Sequence, residues 1–134
     1  MTNASFRILV VDDEPNIRSG LVLALEEEAY EVETAQDAME AWALFQREPY
    51  HLVITDLEMP RMTGYELMVQ LRQSPSTRRI PVMVVTSRAG AKHRDRAIKD
   101  GASAFLTKPV QEDKLLAAVE QLIGTEAPRP APVA

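Results

Sequence analysis

The sequence carries four small polar clusters, each placed directly after a stretch of apolar residues. They are Asp12 with Asp13 and Glu14, Asp56 alone, Thr86 with Ser87, and Thr107 with Lys108. Clustered carboxylates repel one another, so a site that gathers them needs a positive charge to offset theirs. Mg²⁺ suits such a site because it binds a few carboxylate oxygens and keeps several of its own waters.

One acid in this set could act as a nucleophile toward a phosphoryl group. A carboxylate such as Asp56 can form an acyl phosphate. Mg²⁺ and the Lys108 amine, with the Thr86 hydroxyl between them, would stabilise the charge on the phosphoryl oxygens. Each residue also has a structural interpretation, because acids before a helix cap it, Thr86 could be a turn hydroxyl and Lys108 a surface amine. Capping explains Asp56 poorly, since no helix follows it at once.

The apolar residues alternate between short runs and helical spacing, which predicts five successive strand–helix units. The predicted strands are residues 8–11, 31–35, 51–55, 80–85 and 102–106. The fourth predicted helix, residues 91–99, is followed by Gly101, a residue suited to a helix C-terminus. Crossovers between parallel strands are almost always right-handed, so these units predict an α/β, doubly wound parallel sheet with helices on both faces.

The four polar clusters fall at the carboxyl ends of predicted strands. In open parallel sheets, ligands bind beyond these ends, near the point where the strand order reverses. We therefore expect the acids, the hydroxyls and the amine to converge at one edge of the sheet.

Length and composition limit the possible functions. The chain has 134 residues, of which 46% are hydrophobic, and this predicts one domain with a conventional core. It has no Cys, which excludes disulfides, thiolate zinc sites and Cys nucleophiles. The formal net charge of −5 argues against nucleic-acid binding by this chain alone and against an anionic membrane. The longest apolar run near the start, residues 8–11, is too short for a signal peptide or a membrane span, so we expect a cytoplasmic protein.

Four motifs occur in order along the chain. They are Val-Val-Asp-Asp-Glu-Pro at 10–15, Ile-Thr-Asp-Leu-Glu-Met-Pro-Arg-Met-Thr-Gly at 54–64, Val-Thr-Ser at 85–87 and Phe-Leu-Thr-Lys-Pro at 105–109. Together they resemble the response-regulator receiver domain of two-component signalling, over residues 6–123. The resemblance implies a flavodoxin-like, five-stranded sheet in the order 2-1-3-4-5. Residues 1–5 are then an N-terminal extension, and residues 124–134, rich in Pro and Ala, a tail or linker.

The resemblance implies roles around the phosphoryl group. Asp56 matches the phosphoacceptor, and Thr86 and Lys108 match the residues that contact the phosphoryl oxygens. Thr86 and Phe105 match the switch pair, which remodels the surface of helix four, strand five and helix five. Phe105 stands where many relatives have Tyr, so no phenolic hydrogen bond can contribute to switching. The Lys108–Pro109 bond matches a cis peptide of the family.

The resemblance also implies the ligands of the Mg²⁺ cofactor. Asp13 matches the direct ligand, and Asp12 matches a partner that acts largely through metal-bound water. Asp56 and the main-chain carbonyl of Glu58 match the remaining protein ligands. Glu58 and Arg88 occupy positions that in the family tune hydrolysis of the acyl phosphate.

The implied function is a signalling switch that is activated by phosphorylation. The phosphoryl group would come from the phosphohistidine of a sensor histidine kinase or phosphotransfer domain, and the output would be contact with a downstream protein effector. The protein would not be an enzyme but a phosphoacceptor with self-catalysed phosphotransfer and slow autodephosphorylation. Residues 86–94 are loosely similar to receivers associated with chemotaxis-type histidine kinases. The basic fourth helix has two open interpretations, a solvated face or a partner-docking face.

Two other functions compete with this one. A Mg²⁺-dependent aspartyl-phosphate phosphatase similar to the haloacid dehalogenase group needs Asp-x-Asp after the first strand, whereas here Glu14 occupies the third position and Pro15 follows. An interaction module that is never phosphorylated would not need the acids and Lys108. A flavodoxin-like cofactor binder is disfavoured because Asp12 and Asp13 would repel a bound phosphate.

Overall fold

The computed structural model describes residues 5–88 and 90–124 of the chain, and these form one parallel sheet with helices on both faces. The strands are β1 (Arg7–Val11), β2 (Glu31–Ala35), β3 (Leu52–Thr55), β4 (Val82–Thr86) and β5 (Ala104–Thr107). The helices are α1 (Pro15–Glu27), α2 (Ala38–Phe45), α3 (Gly64–Gln73), α4 (Ala91–Lys99) and α5 (Glu112–Gly124). The strand order is β2-β1-β3-β4-β5 with every pairing parallel, so the predicted fold is confirmed.

Alternate residues of the strands build two separate hydrophobic cores, one on each side of the sheet. Leu9 and Val11 of β1 face the core shared with α2, α3 and α4. Ile8 and Val10 face the core shared with α1 and α5. Because both sides of β1, β3 and β4 are buried, these strands are apolar runs without alternation in polarity. Their polar residues are therefore confined to the strand ends.

The last two strands begin later than the sequence predicts. β4 was expected from residue 80 but begins at Val82, after Pro81, which has no N–H to donate to a neighbouring strand. β5 was expected from residue 102 but begins at Ala104. The Ala102 N–H instead bonds to the Ala97 carbonyl and the Gly101 N–H to the Ile98 carbonyl, the two bonds that close a helix C-terminus. Gly101 takes φ 118°, which confirms its predicted place after α4.

Two predicted segments extend past the described residues. Residues 1–4 of the predicted extension and residues 125–134 of the predicted tail or linker lie outside the part of the chain that the structure describes. Within the described ranges, no helix is long and apolar enough to cross a lipid bilayer.

Candidate functional site

Three carboxylates meet at the carboxyl edge of the sheet. β1 and β3 are neighbours with Val11 opposite Thr55, so the next residues, Asp12 and Asp56, leave the sheet side by side. One carboxylate oxygen from each of Asp12, Asp13 and Asp56 lies within 4.8 Å of the others. Asp12 and Asp56 are buried, whereas Asp13 is exposed. The predicted convergence of the acids is thus observed, with one side open to solvent.

Asp12 is held by its main chain as well as by its side chain. Its N–H donates to the Ala35 carbonyl at 3.2 Å, and its Oδ1 accepts the Glu14 N–H at 2.9 Å. Arg18 donates to the Asp12 carbonyl at 2.7 Å. Glu14 is the N-cap of α1 but makes no side-chain capping bond, so side-chain capping does not explain this member of the acidic segment.

Asp56 has one oxygen held by main-chain amides and the other by an amine. Its Oδ1 accepts the Leu57 N–H at 2.6 Å, and the Glu58 N–H lies at the limit of hydrogen bonding, 3.5 Å away. Its Oδ2 accepts from Lys108 Nζ at 2.8 Å. The carboxylate is therefore oriented by the loop that follows it and by Lys108 after β5.

Lys108 is the cation that the structure places among these acids. Its Nζ lies 2.8 Å from Asp56 Oδ2, 3.0 Å from Asp12 Oδ2 and 3.4 Å from Glu14 Oε1. Burial disfavours the charged amine, but hydrogen bonds and attraction to Asp56 and Asp12 outweigh this and raise the pKa of Lys108. Lys108 follows β5 through a cis bond to Pro109, as the resemblance implies. The surface-amine interpretation is wrong, because the side chain is only 8% exposed.

The burial of Asp12 makes its ionisation costly. Loss of solvation raises the pKa of Asp12, although the Glu14 N–H and Lys108 lower it. Since the pKa of Asp12 is raised in the folded state, its ionisation costs the folded protein stability progressively as the pH rises from the ordinary Asp pKa through the raised value.

We expect Asp12→Asn to stabilise the metal-free protein, by on the order of 1 kcal/mol at neutral pH. Asn keeps one oxygen, which can accept from the Glu14 N–H or from Lys108, and it carries no charge. The gain should be absent below the ordinary Asp pKa of 3.8 and should grow as the pH rises through the raised folded-state value. Urea unfolding in a metal chelator at several pH values measures it. A gain that is independent of pH would contradict this account.

Thr86 and Phe105 lie on neighbouring strands near the site. Thr86 is the last residue of β4 and is fully buried, and its Oγ1 accepts the Arg88 N–H at 3.1 Å. Phe105 pairs with Val84 and packs, half-buried, against the core under α2, α3 and α4. The structure thus places Thr86 at the carboxyl end of β4 and Phe105 on the neighbouring strand β5, while their role in switching stays a prediction.

Gly64 has a role that helical periodicity alone does not reveal. It is the first residue of α3, and its N–H donates to the Leu57 carbonyl at 2.9 Å. A Cβ at this position would lie 2.1 Å from the Asp56 carbonyl oxygen. Only Gly lets the α3 backbone approach the phosphoacceptor segment this closely. Its signal in the sequence is a Gly nine residues after the last residue of β3, Thr55.

The fourth helix meets α3 through polar contacts. Of the described residues of α4, Ala97 alone is buried. The Tyr65 hydroxyl lies 3.2 Å from His93 Nδ1, and the Arg96 guanidinium lies 3.9 Å from the centre of the Tyr65 ring. Closer to the site, Arg88 forms an ion pair with Glu58. Most of α4 is solvated, which leaves both interpretations of its basic face open.

The donor set fits Mg²⁺. All three clustered side-chain groups are carboxylates, the ligands that hard divalent cations prefer. The exposure of Asp13 leaves room for the waters that Mg²⁺ retains. Asp12, Asp13 and Asp56 could therefore hold the ion. The predicted Glu58 carbonyl belongs to the loop that follows Asp56.

Comparison with known proteins agrees with this geometry. The family model described as the response regulator receiver domain matches residues 8–120. Response regulator PleD of Caulobacter vibrioides is 42% identical over 119 residues, which cover 88% of this chain but only 26% of PleD. The signal receiver domain of a signal transduction histidine kinase from Syntrophus aciditrophicus superposes with a TM-score of 0.85 at 32% identity, covering 96% of this chain and 98% of that one.

A further solved structure is informative about the metal. The receiver domain of sensor histidine kinase PA1611 from Pseudomonas aeruginosa PAO1 has a TM-score of 0.83 and 25% identity, with 90% of this chain and 98% of that chain covered. It was solved with a magnesium ion coordinated in its active-site cleft.

Proposed function

Since the chain belongs to the response regulator receiver domain family, we propose that it is a signalling switch controlled by phosphorylation of Asp56. The observation that carries the proposal is the meeting of Asp56, Lys108 and the acids Asp12 and Asp13 at one sheet edge. A nucleophilic carboxylate, a fixed cation and a set of metal ligands are the parts that phosphoryl transfer to an acid requires.

In the proposed reaction, an oxygen of Asp56 attacks the phosphorus of a phosphohistidine on a sensor histidine kinase or phosphotransfer domain. A phosphorus–oxygen bond forms, and the phosphorus–nitrogen bond breaks with its electron pair going to the imidazole. The ion pair with Lys108 holds the Asp56 side chain in a fixed orientation before attack. The Lys108 amine remains as a positive charge beside the new phosphoryl oxygens.

Mg²⁺ would supply positive charge against the phosphoryl oxygens when it is bound. Asp12, Asp13, Asp56 and the Glu58 carbonyl would hold it. The magnesium ion in the PA1611 receiver cleft supports this assignment.

The chain would act as a phosphoacceptor with self-catalysed uptake and slow autodephosphorylation, and not as an enzyme with a separate substrate. In the dephosphorylation step a water attacks the phosphorus, the bond to Asp56 breaks with its electron pair going to the carboxylate, and inorganic phosphate and a proton pass to solvent. The ion pair between Glu58 and Arg88 joins the two positions that in the family tune this hydrolysis.

The proposed output is a change on the surface formed by α4, β5 and α5, read by a downstream protein effector. A phosphoryl group on Asp56 adds about −1.5 to −2 charge and new acceptor oxygens close to Thr86. Movement of the Thr86 hydroxyl toward them would break its bond to the Arg88 N–H, which begins the segment leading into α4. Phe105 could then turn inward behind it.

Intact-mass measurement tests the phosphorylation. The native chain, incubated with acetyl phosphate and Mg²⁺, should gain one phosphoryl group, and a chelator should suppress the gain. A chain that gains no phosphoryl group from acetyl phosphate or from a phosphorylated histidine kinase would overturn the proposed function.

We expect Thr86→Ala to take up the phosphoryl group while losing most of the response in α4 and β5. The Ala methyl group can bond neither to a phosphoryl oxygen nor to the Arg88 N–H, so the bond that phosphorylation would break in the native chain is absent from the start. Amide chemical shifts with and without beryllofluoride, a phosphoryl mimic, report the response. Ser87→Ala, which removes the neighbouring exposed hydroxyl, is the control and should respond as the native chain does. Shift changes in α4 of Thr86→Ala that equal the native ones would refute the coupling.

A further inference from the structure

Arg18 lies on α1, next to the acidic cluster but outside the motifs that define it. Its main-chain N–H bonds to the Glu14 carbonyl in the first turn of the helix. Its half-buried side chain runs back toward the helix N-terminus, and Nη1 donates to the Asp12 carbonyl at 2.7 Å. Helical side chains lean in this direction, so the contact follows from the position of Arg18 on the helix.

The carbonyl that Arg18 holds belongs to the peptide group joining Asp12 to Asp13. A peptide group is planar, so a fixed carbonyl fixes the orientation of the whole unit, including the amide of Asp13. Asp12 is also held by hydrogen bonds with Ala35 and Glu14 and by an ion pair with Lys108. Among the described residues, none forms a hydrogen bond or an ion pair with the Asp13 side chain. The position of the Asp13 carboxylate therefore depends on its backbone.

We propose that Arg18 is a positioning residue that orients the Asp12–Asp13 peptide and so presents the Asp13 carboxylate to Mg²⁺. The inference rests on the proposed function, since it concerns the metal site used for phosphoryl transfer. Arg18 acts through the backbone and touches neither the metal ion nor the phosphoryl group. Groups that orient the ligands of a metal ion typically change its affinity about 10- to 100-fold when they are removed.

The direction in which Mg²⁺ affinity changes when Arg18 is removed distinguishes a positioning role from a purely electrostatic one. A guanidinium near three carboxylates offsets their charge, so its removal by itself should strengthen the binding of a cation. If Arg18 positions Asp13, its removal should weaken Mg²⁺ binding in spite of the more negative site. The two accounts therefore differ in direction and not only in size.

Calorimetric titration of the full chain with Mg²⁺ alone provides the test. We expect Arg18→Met to bind Mg²⁺ about 10- to 100-fold more weakly than the native chain. Arg18→Lys keeps the charge and one possible donor on a shorter side chain, and its affinity should lie between those of Arg18→Met and the native chain. Arg94→Met, which removes an exposed Arg from α4, is the matched control for net charge and should bind Mg²⁺ at least as tightly as the native chain.

Urea unfolding of the metal-free variants shows whether the fold is kept, because a purely structural role would lower stability without a specific loss of Mg²⁺ affinity. An Arg18→Met variant that binds Mg²⁺ as tightly as the native chain, or more tightly, would overturn the proposal. If Arg18→Met does not fold, the Mg²⁺ affinity of Arg18→Lys becomes the test. A native Mg²⁺ affinity in Arg18→Lys would then overturn the proposal. A native chain that neither binds Mg²⁺ nor accepts a phosphoryl group would overturn the proposed function itself.

Discussion

Asp56→Asn is expected to abolish the phosphoryl adduct completely. An amide oxygen is a poor nucleophile, and the Asn side chain cannot form an acyl phosphate. The substitution keeps the shape of the side chain and an oxygen that can accept the Leu57 N–H or the Lys108 amine. The variant should therefore fold, so that loss of the adduct reports chemistry and not unfolding.

Intact mass after incubation with acetyl phosphate and Mg²⁺ measures this loss. Asp113→Asn, which changes an exposed acid on α5 in the same way, is the control and should be phosphorylated like the native chain. An adduct on Asp56→Asn at the native level would show that another residue is the phosphoacceptor.

Lys108→Met is expected to cause the largest loss of stability in the metal-free protein, about 3 to 5 kcal/mol at neutral pH. Met has a similar length but leaves Asp12 and Asp56 buried against each other without their cation. Like charges in one buried site raise the free energy of the ionised state.

The loss should depend on pH and on Mg²⁺. Without Lys108, attraction no longer offsets burial, so the pKa of Asp12 should rise beyond its already raised native value. An acid with a raised pKa favours the folded state at low pH and opposes it as the pH rises through that value, so acidification should restore part of the stability. Mg²⁺ should also restore part, because it binds the folded acids and supplies the missing charge.

Urea unfolding at several pH values, with and without Mg²⁺, measures both effects. Lys92→Met removes an exposed Lys from α4 and should leave stability within about 0.5 kcal/mol of native. An equal loss for Lys108→Met at every pH, unchanged by Mg²⁺, would mean that packing and not charge explains the destabilisation.

The sequence by itself determined the fold and the residues that meet at the site. Strands buried on both sides must be continuous apolar runs, so β1, β3 and β4 stand out, and polar side chains can appear only where these strands end. This one constraint places Asp12, Asp56 and Thr86 at a common edge of the sheet. The boundaries of β4 and β5 were less predictable because they depend on a missing N–H at Pro81 and on the hydrogen bonds that close α4.

Only the tertiary structure decided how the site residues are held. Whether Lys108 lies on the surface or between two acids depends on the packing of β5 beside β4, which residue types do not encode locally. Two further contacts involve the backbone: Arg18 donates a hydrogen bond to the Asp12 carbonyl, and Gly64 lies close to the Asp56 carbonyl. Backbone contacts leave no pattern of paired side chains in a single sequence. They depend on distances of a few tenths of an ångström, which are set only when the helices pack against the sheet.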